Sequence, residues 1–189
     1  MTRKSLFIVL LVPTLLLLVP LVANQTVDGF DWDPGSFIVA WVLMVAVGFV
    51  YKLVTSKTGN IAHRVATALA LLGGFMIIWG NLAVGFIGSE DNPANLLYAG
   101  VLLIGAIGGA MARFESAGMA RTMFATAFAQ FLVPAIAWLL NPQDFSPGLA
   151  QVFGLNACFV MLFVVSGALF RRASRNRMNT AGREGVLPA

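Results

Sequence analysis

The sequence predicts an all-α membrane protein, a compact bundle of six transmembrane helices with both termini in the cytoplasm. The chain of 189 residues is 59% hydrophobic and only 11% charged, whereas soluble domains usually carry about 25% charged residues. Its apolar residues fall into six long runs, and its basic residues lie at alternate ends of these runs. A water-soluble domain of this size could not bury so much apolar surface.

Six apolar stretches are long enough to cross a hydrocarbon core, which takes about 20 helical residues. The first could instead be a secretory signal peptide, since Arg3 and Lys4 precede it. Its apolar run is about 18 residues, longer than the roughly 7–15 of a signal peptide, so we favour a retained helix. The third is long enough to tilt or to begin at the interface. The stretches cover approximately residues 5–23, 36–54, 61–88, 96–112, 122–140 and 149–170.

The basic residues predict the orientation. With alternating spans, all twelve lysines and arginines lie on one side of the membrane, and six of the eight acids lie on the other. Lysine and arginine mark the cytoplasmic side, so both termini are predicted to be cytoplasmic. Residues 1–170 would form the transmembrane domain. Residues 171–189 would form a basic cytoplasmic tail, which we expect to be poorly ordered.

The spans contain a weak internal similarity. Residues 66–70 (ATALA) in the third span match residues 125–129 (ATAFA) in the fifth. An outer loop with an acid and a proline, such as Asp33-Pro34, precedes each of the second, fourth and sixth spans. This arrangement is compatible with parallel hairpin repeats, as in some transporters, or with chance recurrence. We expect these acids mainly to cap the helices that follow them.

Polar residues within and between the spans are the candidates for a functional site. No ionisable residue lies near the middle of a span. A charged side chain there costs so much free energy that it usually indicates a functional site. Amide side chains in hydrocarbon need hydrogen-bond partners. They either join neighbouring helices or line a polar cavity that opens near the segment between the third and fourth spans. The candidates are Asn81, Glu90, Asp91, Asn92, Asn95, Gln130 and Asn156.

The sequence contains no recognisable catalytic or metal-binding motif. Cys158 is the only cysteine and His63 the only histidine. An intrachain disulfide, a multi-cysteine metal site and a bis-histidine haem are therefore excluded. We expect Cys158 to be packed within an apolar helix and His63 to be solvated at the interface. No cofactor and no metal are implied.

Two further patterns indicate helix packing and lipid contact. Small residues in the fourth span recur at a spacing of four, which allows two helix backbones to approach closely. They are Gly105, Gly109, Ala106 and Ala110. The partner would be another helix, with residues 73–74 as the receiving surface, or a second protomer. Four arginines follow the sixth span, and each attracts anionic lipid by about 1 kcal/mol. They are Arg171, Arg172, Arg175 and Arg177.

The middle third of the chain resembles a group of uncharacterised small bacterial inner-membrane proteins. The resemblance rests on residues 81–85 (NLAVG), 89–96 (SEDNPANL), 118–121 (GMAR) and 125–127 (ATA). It implies a bacterial inner membrane and no particular activity.

These observations favour a non-enzymatic multi-span protein. It would be a small transport or permeation unit, or a membrane partner in a larger assembly. Its expected partners are membrane lipids and either a second copy or another membrane protein, rather than nucleic acid. The alternative is a membrane-embedded enzyme or cofactor-binding subunit that acts on a lipid or quinone, with Glu90 and Asp91 as acid–base candidates.

The orientation can be measured by cysteine labelling in a Cys158→Ser background. We expect a membrane-impermeant maleimide, added from the periplasm, to leave Thr58→Cys unmodified because the 52–64 segment is predicted to be cytoplasmic. The control Ser89→Cys lies in a predicted outer loop and should react. Labelling of Thr58→Cys from the periplasm would contradict the topology.

Overall fold

The computed structural model describes residues 3–27, 29, 31–56, 58–89, 91–142 and 148–184, and every regular element among them is helical. The helices are α1 (Arg3–Leu16), α2 (Leu18–Thr26), α3 (Pro34–Thr55), α4 (Ile61–Ala83), α5 (Leu96–Met111), α6 (Ser116–Leu140) and α7 (Leu149–Glu184), with a 3-10 turn at Pro93–Asn95. Six candidate spans are long and apolar enough to cross a membrane, with α1 and α2 together making the first. The predicted all-α class and the six long apolar helices are therefore confirmed.

Pro20, in the first turn of α2, accounts for the break between α1 and α2. It has no N–H to donate to the carbonyl of Leu16, and its ring would clash with that carbonyl in a continuous helix. α1 accordingly ends at Leu16 and α2 begins at Leu18.

α4 ends earlier than the sequence predicted. The apolar run continues to residue 88, but the helix stops at Ala83. Gly85 and Gly88 have φ of 64° and 67°, a left-handed conformation that glycine adopts without strain. A glycine in this conformation commonly follows a helix C-terminus, and here it turns the chain into a loop.

α7 extends well past the predicted span. Its 36 residues correspond to about 54 Å at 1.5 Å per residue. The expected poor order of the tail is therefore wrong for residues 171–184, which continue the helix. Phe170 and Ala173 are buried, and Asn60 Nδ2 donates a hydrogen bond to the Ala173 carbonyl at 3.4 Å. These contacts hold the basic part of α7 against the start of α4. Residues 185–189 lie outside the described residues.

Internal contacts divide the chain into two compact units, Met1–Ser56 and Lys57–Ala189. In the first unit, α1 packs on α3. Trp41 Nε1 donates to Thr14 Oγ1 at 3.0 Å, and Val9 covers Gly48, where an added Cβ would lie 3.3 Å from Val9 Cγ1.

The start of α3 confirms the capping role predicted for the acid before its proline. Asp33 accepts hydrogen bonds from the backbone N–H and the hydroxyl of Ser36, both at 3.0 Å. These bonds, with the backbone bond the largest cause, hold the pKa of Asp33 below its usual value. Pro34 occupies the first helical position, where a missing N–H has no cost.

In the second unit, α6 packs against α5 and α7, and α4 packs against α7. The core includes Ile77 from α4, Tyr98 from α5 and a row of phenylalanines along α7. This row is Phe159, Phe163 and Phe170. Its spacing of four and seven residues keeps the three rings on one face of the helix.

Small residues allow these helices to approach closely. A Cβ added to Gly108 would lie 2.7 Å from Thr122 Cγ2, and one added to Gly105 would lie 3.5 Å from Thr126 Oγ1. The small-residue face of α5 therefore packs on α6. Gly109 is buried in this contact region, whereas Ala106 and Ala110 are exposed. The expected receiving surface is divided between two helices. A Cβ added to Gly74 would lie 3.6 Å from Leu102 Cδ2 on α5, whereas one added to Gly73 would lie 3.1 Å from the ring of Phe163 on α7.

We expect Gly108→Ala to lower the free energy of unfolding in detergent by about 1–3 kcal/mol, because the new methyl group would overpack the α5–α6 contact. Gly100→Ala is the matched control on the same helix, since nothing lies within 4 Å of its added Cβ. It should leave stability unchanged or raise it by up to about 1 kcal/mol. Equal thermal unfolding midpoints for the two variants would contradict the close packing.

Candidate functional site

Three polar side chains meet in the core of the second unit, one from each of α5, α6 and α7. We call Tyr98, Gln130 and Asn156 the amide cluster. Gln130 Nε2 donates to Asn156 Oδ1 at 2.7 Å. Asn156 Nδ2 donates to the hydroxyl of Tyr98 at 2.9 Å and to the carbonyl of Val152 at 2.8 Å. The hydroxyl of Tyr98 lies 3.2 Å from Asn156 Oδ1 and donates to it.

The amide cluster is sealed from its surroundings. Tyr98, Gln130 and Asn156 are 1%, 0% and 2% exposed. Aromatic rings cover the Tyr98 side of the cluster. The ring of Phe86 meets Tyr98 edge to face, with 5.3 Å between ring centroids, and is tilted against the ring of Phe159, with 5.5 Å between centroids. The cluster is thus a fully enclosed polar group rather than the lining of an open cavity.

Sequence reasoning named Gln130 and Asn156 as candidates and missed Tyr98. A tyrosine in an apolar run resembles any other aromatic core residue in sequence. Its hydroxyl is the available signal, because a buried Tyr usually finds a hydrogen-bond partner. The amides predicted on the facing helices could have supplied that partner.

Asn95 organises the loop that connects α4 to α5. Its Oδ1 accepts from the backbone N–H groups of Phe86 and Ile87 at 3.1 and 3.0 Å. Its Nδ2 donates to the carbonyls of Ile87 and Ser89 at 3.3 and 2.8 Å. One side chain therefore satisfies four backbone groups that no helix could pair. The clamped loop places Phe86 against Tyr98. The same ring lies against Gly80, where any larger residue would clash with it.

The remaining candidates between α4 and α5 have separate positions. Asn92 caps the 3-10 turn, accepting from the backbone N–H of Ala94 at 2.9 Å. Asp91 is exposed, and Glu90 lies outside the described residues. Asn81 donates to the carbonyl of Ile77, one turn earlier in its own helix, at 2.8 Å. Among the described residues its Oδ1 has no hydrogen-bond partner, and the structure shows no bond from Asn81 to the amide cluster.

Polar contacts also join the helices at the opposite end of the second unit. His63 Nδ1 and Ser116 Oγ are 2.8 Å apart, and the His63 ring meets Phe170 edge to face at 5.0 Å between centroids. His63 is only 3% exposed, so the expected interfacial solvation of this residue is wrong. The first turn of α4 faces α6 and α7, and packing there shields the imidazole from solvent.

Cys158 also differs from expectation, since it is exposed rather than packed. Its neighbours Asn156 and Phe159 lie on the buried face of α7, and Cys158 falls between them in sequence but outside that face. The four arginines predicted to meet lipid headgroups are exposed along α7. They are Arg171, Arg172, Arg175 and Arg177.

Two threonines at equivalent positions of the weak repeat make the same bond. Thr67 Oγ1 donates to the carbonyl of His63, and Thr126 Oγ1 to that of Thr122, each at 2.9 Å and each buried. Helical threonines often bond back to the fourth preceding carbonyl, so the internal repeat stays a prediction.

Within the described part of the chain, no group of three or more His, Cys, Asp or Glu residues is placed to hold a metal ion. The chain matches no family model, no curated protein and no solved structure. The resemblance of its middle third to small bacterial inner-membrane proteins stays a prediction from the residues.

We expect Asn95→Ala to release the loop while leaving the helices folded, because four backbone groups lose their partner together. Hydrogen–deuterium exchange should show faster exchange at the amides of Phe86 and Ile87 and unchanged exchange within α6. Leu96→Ala is the control, since its side chain is adjacent and 73% exposed. Equal exchange in the two variants would show that Asn95 does not clamp the loop.

Proposed function

We propose that this chain is an integral protein of a bacterial inner membrane, with both termini cytoplasmic, and that it serves as a non-catalytic membrane partner in a larger assembly. The observation that carries the proposal is the distribution of polarity in the second unit. Large apolar side chains cover its outside, and two buried amides lie among the apolar residues of its core.

The exposed fractions of individual side chains illustrate this distribution. Met111, Leu139 and Leu96 are 80%, 74% and 73% exposed, whereas Gln130 is fully buried. A soluble monomer rarely exposes a contiguous apolar patch larger than a few hundred Å². Lipid removes this cost, because hydrocarbon tails are as apolar as the side chains they would contact.

Contacts within the second unit support the proposed orientation. The His63–Ser116 and Asn60–Ala173 hydrogen bonds bring the starts of α4 and α6 beside the basic part of α7. The arginines of these segments therefore collect at one end of the unit, away from the Asn95 loop. A positive end of this kind favours the cytoplasmic side.

The amide cluster favours a structural role over permeation. A pore requires polar groups that face a water-filled path, but Gln130 and Asn156 bond to each other and to Tyr98 in an enclosed core. Interhelical bonds of this kind hold helices together, typically by about 0.6 kcal/mol each. The outer surface is then the part of the molecule left to interact with a partner.

The proposal is tested by excising the full chain from its native membrane in polymer-bounded lipid nanodiscs and weighing the particles by native mass spectrometry. We expect another polypeptide, or a second copy, at a constant ratio to this chain. Particles that contain a single copy alone would contradict the assembly role.

A flux measurement distinguishes the permeation alternative. The purified chain in liposomes should pass water and small polar solutes no faster than protein-free liposomes. Flux above that control, which is abolished by substitution of Asn156, would replace the assembly role by permeation.

A further inference from the structure

The hydrogen bonds of Asn156 are saturated. Its two N–H groups go to Tyr98 and Val152, and its Oδ1 accepts from Gln130 and from the hydroxyl of Tyr98. A side-chain amide has two donors and two acceptor lone pairs. Asn156 therefore has nothing left to offer a further group.

The backbone determines which way Asn156 points. The carbonyl of Val152 can only accept a hydrogen bond, so the atom 2.8 Å from it must be Nδ2. Rotating the amide by half a turn would set two oxygens against each other there. Oδ1 is consequently directed at Gln130.

The orientation of Asn156 in turn determines that of Gln130. The atom of Gln130 that lies 2.7 Å from Asn156 Oδ1 must be the donor Nε2. Gln130 Oε1 therefore points away from Asn156. This oxygen is buried, since Gln130 is 0% exposed, and none of the described residues donates a hydrogen bond to it.

A buried acceptor of this kind is costly. Leaving one unpaired costs about 1–3 kcal/mol. Reversing the amides of both Gln130 and Asn156 would pair Gln130 Oε1, but it would set Asn156 Oδ1 against the carbonyl of Val152. Pro134 has no N–H for the backbone carbonyl of Gln130, four positions earlier, so that carbonyl lacks its usual helical partner. The unpaired Oε1 of Gln130 thus calls for a small hydrogen-bond donor in a closed core.

We propose that Gln130 Oε1 holds a buried water molecule between α5, α6 and α7. Water is small enough for a closed core and has two hydrogens to donate. Buried waters typically make about three hydrogen bonds to polar groups that would otherwise be unpaired. A neutral donor fits better than a cation, because every oxygen of the amide cluster is uncharged. The inference does not depend on the assembly role proposed above.

Hydroxyl-radical footprinting by pulsed X-ray radiolysis tests the site in the full chain. Radicals that form from a bound water modify the side chains beside it. We expect Tyr98, which is joined to Gln130 through Asn156, to be modified although it is 1% exposed. Phe163, 3% exposed among apolar neighbours, should stay unmodified. Tyr51, the only other tyrosine, reports the radical dose in each sample. Protection of Tyr98 to the level of Phe163 would overturn the proposal without any variant.

Two substitutions assign the water to Gln130. Gln130→Met has a similar length and no hydrogen-bonding amide, and it should reduce modification of Tyr98 several-fold. Gln130→Glu, protonated in this core, still has a donor for Asn156 and an acceptor for water, so modification should persist. Unchanged modification in Gln130→Met would overturn the assignment.

Discussion

The second unit is organised by the requirement that polar groups in its core satisfy one another without bulk solvent. The carbonyl of Val152 fixes the amide of Asn156, which then presents its oxygen to Gln130 and its remaining N–H to Tyr98. One helical carbonyl thereby sets the direction of the side-chain bonds that join three helices. Hydrogen-bonded networks of this kind favour one arrangement, because reversing the two amides would set an oxygen of Asn156 against the carbonyl of Val152.

The same requirement explains the loop above the cluster. Irregular backbone beside an apolar environment exposes N–H and C=O groups that cost free energy unless they are paired. Asn95 pairs four of them, and the loop can then lie over the core with Phe86 against Tyr98. The polar loop and the buried cluster are thus coupled through the contact between Phe86 and Tyr98.

The number of helices could be predicted from the sequence, whereas their pairing could not. A run of some 20 apolar residues predicts a span whatever its neighbours are, and six such runs became six long helices. The continuation of α7 past residue 170 is accompanied by packing at Ala173, which is distant in sequence from its partner Asn60. The burial of His63 depends on α6 and α7. Hydropathy contains no information about such contacts.

The candidate site was predictable only in part, for the same reason. Gln130 and Asn156 stood out because amides are costly in an apolar helix. Their partner Tyr98 did not, because whether an aromatic residue serves as a hydrogen-bond donor depends on which helix faces it. The direction of each amide depends on a single carbonyl, that of Val152. The acceptor left over at Gln130 is therefore a property of the folded arrangement, and it arises from the same bonds that join the three helices.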